Sequence, residues 1–220
     1  MRYLMKEDVK QSLSEEFVNA LSHGLGLFLS VVALVVMVIG TSRTGSTRAV
    51  LSAAVFGGAL IALYGVSTLY HAVSHAKMKE ILHVLDHIMI YFLIAGSYTP
   101  FMLVGLGGSK GWSLFAIVWG LALSGAVFKL FYTGRLEKLS IAIYLAMGWL
   151  ALVVIKPIYA SLGFSGFMWL LAGGCAYTFG TIFYALDGRY RYAHSIWHLF
   201  VLVGSACHVI ALSFYVLKIA

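Results

Sequence analysis

Apolar residues in this chain do not alternate with polar ones; they run in long blocks. Blocks at roughly 17–40, 49–71, 86–108, 112–131, 139–157, 166–186 and 194–217 each approach the ~20 apolar residues a helix needs to cross the hydrocarbon core of a bilayer. The segments between them are short and carry nearly all the charge: TSRTGSTR, SHAKMKEILHVL, GGSKG, YTGRLEK and DGRYRY. The pattern predicts an all-α integral membrane bundle of seven transmembrane helices forming one domain over residues 1–220. The N-terminal MRYLMKEDVKQSLSEE has mixed charge and precedes a run too long for a signal-peptide core, so no cleavage is expected. Ser14 followed by Glu15 and Glu16 resembles a helix start, and the segment reads as a short amphipathic helix at the interface.

Composition agrees and removes the soluble alternatives. With 61% hydrophobic residues, 10% charged and a mean hydropathy of +0.94, the chain lacks the charge that covers a soluble domain. Two prolines against 23 glycines suit closely packed membrane helices, and Gly57-Gly58 and Gly173-Gly174 read as helix contacts. Cys175 and Cys207 lie in apolar runs and imply no disulfide framework. The net charge of +7 points to loop placement rather than to nucleic acid. With seven spans, ten of the 15 Lys and Arg residues fall on the side of the N-terminus. The expectation is N-terminus inside and C-terminus outside, in the cell inner (plasma) membrane.

Ionisable groups inside membrane helices are costly and tend to mark sites. Here they gather at helix ends facing one leaflet: Glu16, Asn19 and His23 open span 1, and Ser67 and His71 close span 2. Asp86 and His87 open span 3, while His194 and His198 open span 7. Ser67 and His71 are i, i+4, as are His194 and His198, and Glu16, Asn19 and His23 follow i, i+3, i+7, so each set shares a helix face. Two histidines on one face with a third from another helix suit Zn²⁺ and leave a coordination position open. Such an ion supplies a nucleophile near neutral pH. Asp86 is placed to orient or deprotonate it, and Ser67 to hydrogen-bond a ligand or an oxyanion.

Plainer readings compete. On spacing alone, His194 and His198 fit a metal pair or two interfacial side chains equally well. His71/His75 and His83/His87 repeat the i, i+4 spacing, yet His75 and His83 fall in a charged loop and read as solvated. His87 points about 100° from Asp86 on a helix and reads as interfacial. His208 lies too far along span 7 to share an ion with His194 and reads as a satisfied core histidine. Lys129 reads as a snorkelling cation. Glu16, Asn19 and His23 are either residues behind the metal ligands or a helix start with a buried polar pair. No phosphate loop, GxSxG or HExxH motif is present.

Taken together, EEFVNALSHG, STLYH with the following LDH, and HSIWH resemble, in this order, the three motifs of the haemolysin III family. That family is the bacterial branch of the progestin and adipoQ receptor (PAQR) membrane proteins, and SYTPFMLVGL and YLAMGWL also look like it. The resemblance covers essentially the whole chain. It implies zinc held by His71, His194 and His198, with Asp86 and Ser67 nearby, in a membrane hydrolase related to alkaline ceramidases. A membrane lipid is then the expected substrate, and the bacterial members are linked both to haemolysis and to membrane-lipid homeostasis. Three functions compete: a zinc-dependent hydrolase of a lipid amide or ester, a non-enzymatic membrane sensor with structural zinc, and a cytolysin. Seven stable spans with no soluble form argue against the last as a native role.

Overall fold

A computed structural model describes residues 11–218, and all of its regular structure is helical. Helix α1 (Leu13–Ser42) starts two residues earlier than SLSEE suggested. Ser12 is the N-cap, accepting from the Glu15 N–H while the Glu15 carboxylate takes the Ser12 N–H at 2.9 Å, a reciprocal capping box. The interfacial helix expected before it falls largely outside the described residues. Helix α2 (Thr47–Ala72) is capped by Ser46. Helix α3 (Ala76–Pro100) takes in most of the segment read as a charged loop and continues as a π-helical turn over Phe101–Leu106. Helices α4 (Gly108–Tyr132), α5 (Glu137–Gly148), α6 (Ile155–Ala185) and α7 (Ala193–Ile210) follow, and α7 also runs into a π-helical turn, Ala211–Val216.

Among the described residues, six helical runs are long and apolar enough to cross a membrane, not the seven expected. The difference is local. The blocks at 139–157 and 166–186 fall in one run, Glu137–Ala185. That run is not straight: Trp149–Val154 is a 3₁₀ stretch, and Gly163 has φ 65°, a conformation glycine adopts without penalty. Trp149 Nε1 donates to Thr178 Oγ1 at 3.0 Å and the Tyr184 hydroxyl donates to Glu137 Oε2 at 3.1 Å. A straight helix at 1.5 Å per residue would hold these pairs ~44 and ~70 Å apart. The run therefore doubles back on itself.

The bundle packs α1 on α2, α2 on α3, α3 on α4, and α6 on α7, with α1 also against α7. Phe56, Leu60, Leu63, Tyr64 and Leu212 form the main core, and Tyr91, Ala95, Val118, Ala122 and Met147 a second one. Close approach is real at Gly57, where a Cβ would lie 2.6 Å from Leu34, and at Gly173, where it would lie 2.3 Å from the His208 ring. Gly58 has open space instead. The exterior is apolar: Phe28, Leu130, Phe131, Phe179 and Val203 are more than half exposed. Water would not tolerate such a surface, whereas lipid requires it. Both cysteines are free, with Cys207 buried.

Candidate functional site

Three histidines meet at one end of the bundle. His71 comes from the last turn of α2, and His194 and His198 from the first turns of α7. One ring nitrogen of each lies within 4.8 Å of the others. Ring centroids stand 5.2 Å (His71–His194), 5.0 Å (His71–His198) and 4.7 Å (His194–His198) apart. His71 and His198 are buried, and His194 is partly open.

The hydrogen bonds settle which nitrogens converge. His71 Nδ1 faces Glu16 Oε2 at 2.7 Å and His194 Nδ1 faces Asp187 Oδ2 at 2.8 Å. A carboxylate only accepts, so both imidazoles carry their proton on Nδ1. His198 Nδ1 lies 3.1 Å from Ser22 Oγ, whose own hydrogen goes to the Asn19 carbonyl at 2.9 Å. The serine oxygen is thus the acceptor, and His198 also carries its proton on Nδ1. All three Nε2 atoms keep their lone pairs, and His71 Nε2 is buried with no hydrogen-bond partner. An unpaired buried acceptor costs ~1–3 kcal/mol, whereas a histidine oriented through its second nitrogen is the usual form of a metal ligand. Neutral imidazole nitrogens of this kind are ligands for divalent transition metals, and these three rings would hold such an ion between them. The donor set fits a divalent metal.

The other sequence-predicted residues fall around this cluster. Glu16 orients His71. Asn19, fully buried, accepts from Ser195 Oγ at 2.5 Å and donates to Gln11 Oε1 at 2.8 Å. His23 stacks on His198 at 3.4 Å, with both ring nitrogens buried and unpaired. Ser67 is buried, Asp86 is half-buried, and both line a cavity that begins beside His23 and His198. The free space there, open solvent at its mouth included, is about 1530 Å³. It passes Leu63, Leu93, Tyr98, Trp149 and Leu170 to Phe101 and His208. From Asp86 to Phe101 along α3 the distance is ~22 Å at 1.5 Å per residue. Its wall is overwhelmingly apolar.

Three residues sit differently from their sequence reading. His87 is buried, with Nδ1 on the His83 carbonyl at 2.8 Å and Nε2 2.9 Å from the Tyr184 hydroxyl. Lys129 does not snorkel: it is fully buried and donates to both Glu137 oxygens at 2.9 and 3.0 Å. His208 is not satisfied, since neither ring nitrogen has a partner. His83, in α3, packs against Tyr70 of α2 and His87 of its own helix, while His75 is exposed and caps α3, its Nδ1 accepting from the Met78 N–H.

Sequence reasoning missed Ser22, Asp187, Glu137 and Tyr184. Asp187 lies in the loop before α7. Burial would raise its pKa, but the hydrogen bonds it accepts from His194, the Gly188 N–H and the Gln11 amide outweigh it, and the carboxyl is held below the usual range. DGRYRY was read only as a charged loop; an aspartate seven residues before a candidate ligand was the available signal.

Comparisons with known proteins give the family. A haemolysin-III related family model matches residues 11–209. The chain belongs to the haemolysin III family. Haemolysin-3 from Bacillus cereus is 46% identical over 96% of this chain and 95% of its own length. A haemolysin-3 homolog from Bacillus subtilis is 46% identical over 94% and 97%. The human monocyte to macrophage differentiation factor is 29% identical over 95% of this chain and 87% of its own. No solved structure matches. Six apolar helices in a member of this family make a multi-pass membrane protein.

Proposed function

We propose that this protein is a zinc-dependent hydrolase of a lipid amide or ester, working from the membrane and serving membrane-lipid homeostasis. The observation that carries the proposal is the unpaired Nε2 of His71, converging with His194 and His198 at the head of a long apolar cavity. Zinc held there supplies Lewis acidity and a nucleophile near neutral pH. Asp86, on the cavity wall, accepts the proton of the attacking water and returns it to the leaving nitrogen or oxygen as the acyl bond breaks. Ser67 donates a hydrogen bond to the carbonyl oxygen as negative charge develops there. The apolar walls hold the chain of the lipid and keep bulk water away.

The hairpin within Glu137–Ala185 supports two crossings by that run, hence seven in all, with the N-terminus inside and the site at the cytoplasmic leaflet of the plasma membrane. Lys and Arg placement supports the same orientation.

A second reading, a non-enzymatic sensor with structural zinc, draws on the dense hydrogen bonding behind all three histidines. Structural zinc is closed by four protein ligands. The name haemolysin-3 carried by two relatives suggests cytolysis; lysis that survives loss of all three histidines would be unrelated to this site. The deciding experiment is lipid turnover by the purified, zinc-loaded protein, followed by mass spectrometry of a native lipid extract. The wild type should convert at least one lipid to a free acid, and Asp86→Asn and His198→Ala should not. A fully loaded protein that converts nothing, and is merely less heat-stable without its metal, would replace the hydrolase by the sensor.

A further inference from the structure

The start of α1 contributes none of the three histidines, yet the side chains behind all three lead back to it. Glu16 takes the Nδ1 proton of His71 on Oε2, while its other oxygen, Oε1, accepts from Lys79 Nζ at 2.6 Å. Lys79, in the first turn of α3, is itself fixed, donating to the Tyr70 carbonyl at 3.2 Å and lying 4.8 Å over the Tyr70 ring. Across the cluster, Gln11 Nε2 donates to Asp187 Oδ2 at 3.2 Å and Oδ1 at 3.4 Å, behind His194. The same amide's oxygen accepts from Asn19. Glu15 Oε1 takes the N–H of Tyr192, which holds the left-handed conformation (φ 60°) just before α7. Residues 11–22 therefore bridge α2, α3 and the α6–α7 loop.

We propose that Lys79 and Gln11 are positioning residues of the metal centre. Lys79 fixes the carboxylate that fixes His71, and Gln11 fixes the one that fixes His194, so together they set how tightly the ion is held. The inference rests on the metal reading above. A free glutamate has several rotamers and a strong preference for water. Lys79 removes both tendencies by pairing the distal oxygen, with side-chain exposures of 29% for Lys79 and 18% for Glu16, a pair drier than ordinary surface ion pairs. Partners directly behind metal ligands change affinity by 10–100-fold; one bond further out, about 10-fold is expected for Lys79 and about 3-fold for Gln11.

The test is Zn²⁺ binding by the full-length purified protein, in competition with a chromophoric chelator. Lys79→Met should weaken binding about 10-fold, Lys79→Arg should recover most of the loss, and Gln11→Leu should weaken it about 3-fold. Loss of the ion pair should lower the melting temperature of metal-free Lys79→Met modestly and leave that of metal-free Gln11→Leu near the metal-free wild type, whereas a merely structural role would lower melting temperatures with zinc affinity unchanged. Wild-type affinity in both Lys79→Met and Gln11→Leu overturns the inference, and so does a loss that Lys79→Arg fails to recover. A wild type that binds no zinc overturns the metal reading itself, whereas a zinc-binding wild type with unaffected variants overturns this inference alone. If Lys79→Met does not fold, Gln11→Leu and Lys79→Arg decide.

Discussion

The histidine triad and the Lys129–Glu137–Tyr184–His87 cluster bury ionisable groups at the same end of the bundle, and they differ in what is left over. In the second cluster each group finds a partner: Lys129 on Glu137, the Tyr184 hydroxyl between Glu137 and His87, and His87 Nδ1 on the His83 carbonyl. It pins α3, α4, α5 and α6 together, and no three of its imidazole or carboxylate groups converge as the triad does. In the triad the Nδ1 positions are just as carefully paired, but His71 Nε2 is buried without a partner, and one ring nitrogen of each histidine lies close to those of the other two. Convergence of ring nitrogens thus separates a ligand site from a buried polar brace, since His23 and His208 are also unpaired but join no such group.

That contrast can be broken at its strongest point first. Replacing His71 or His198 by alanine should empty the site of zinc, a loss larger than the 10–100-fold caused by orienting partners, read by metal analysis of the purified protein. The fold should survive, because one unpaired buried group goes with the ligand. Lys129→Met should act in the opposite way. Breaking a buried ion pair costs ~3–5 kcal/mol, and with the Glu137 side chain 32% exposed the lower end is expected. The melting temperature should fall while zinc stoichiometry stays at the wild-type value. A smaller effect of the same kind is expected for Tyr184→Phe, about 1–2 kcal/mol for the lost hydrogen bonds, again with zinc retained. Loss of zinc in either variant would show that the two clusters are one functional unit.

The smallest effect concerns acid. Because the folded pKa of Asp187 lies below its unfolded value of about 4, its contribution to stability is complete above that value and disappears as pH falls through the lowered one. Asp187→Asn should therefore flatten the acid limb of the metal-free protein's stability profile below about pH 4 and leave the profile near neutral pH shifted by a constant. An unchanged acid limb would remove Asp187 from the account.

Much of this was legible in the sequence because membrane helices announce themselves by length. Predicted and observed starts differ by one to four residues at α1, α2, α4 and α7. The start of α3 differs by ten, because AKMKEILHVL is helical despite its charge; it lies at the bundle end, where water can meet the lysines. Spacing and helix direction also gathered His71, His194 and His198 as candidates, since i, i+4 sets a shared face, and the three side chains do meet in the structure. Spacing could not separate these from His71/His75 or His83/His87, which have the same spacing, and only the approach of the His71 side chain to those of His194 and His198 does so. Partners such as Ser22 for His198, or Glu137 for Tyr184, join helices 176 and 47 residues apart in sequence. No periodicity within one helix reports on such pairs. Lys129 was misread for the same reason: a lysine near a helix end looks free to snorkel until the next helix delivers a carboxylate to it.

The central claim is a metal ion held by three imidazoles through Nε2. Metal analysis combined with X-ray absorption at the zinc edge on the purified wild-type protein addresses it most directly. The account predicts about one zinc per chain with three imidazole nitrogens at 2.0–2.1 Å. A protein purified without chelator that carries no stoichiometric metal, or whose zinc shows sulfur or fewer than three imidazole neighbours, would contradict it.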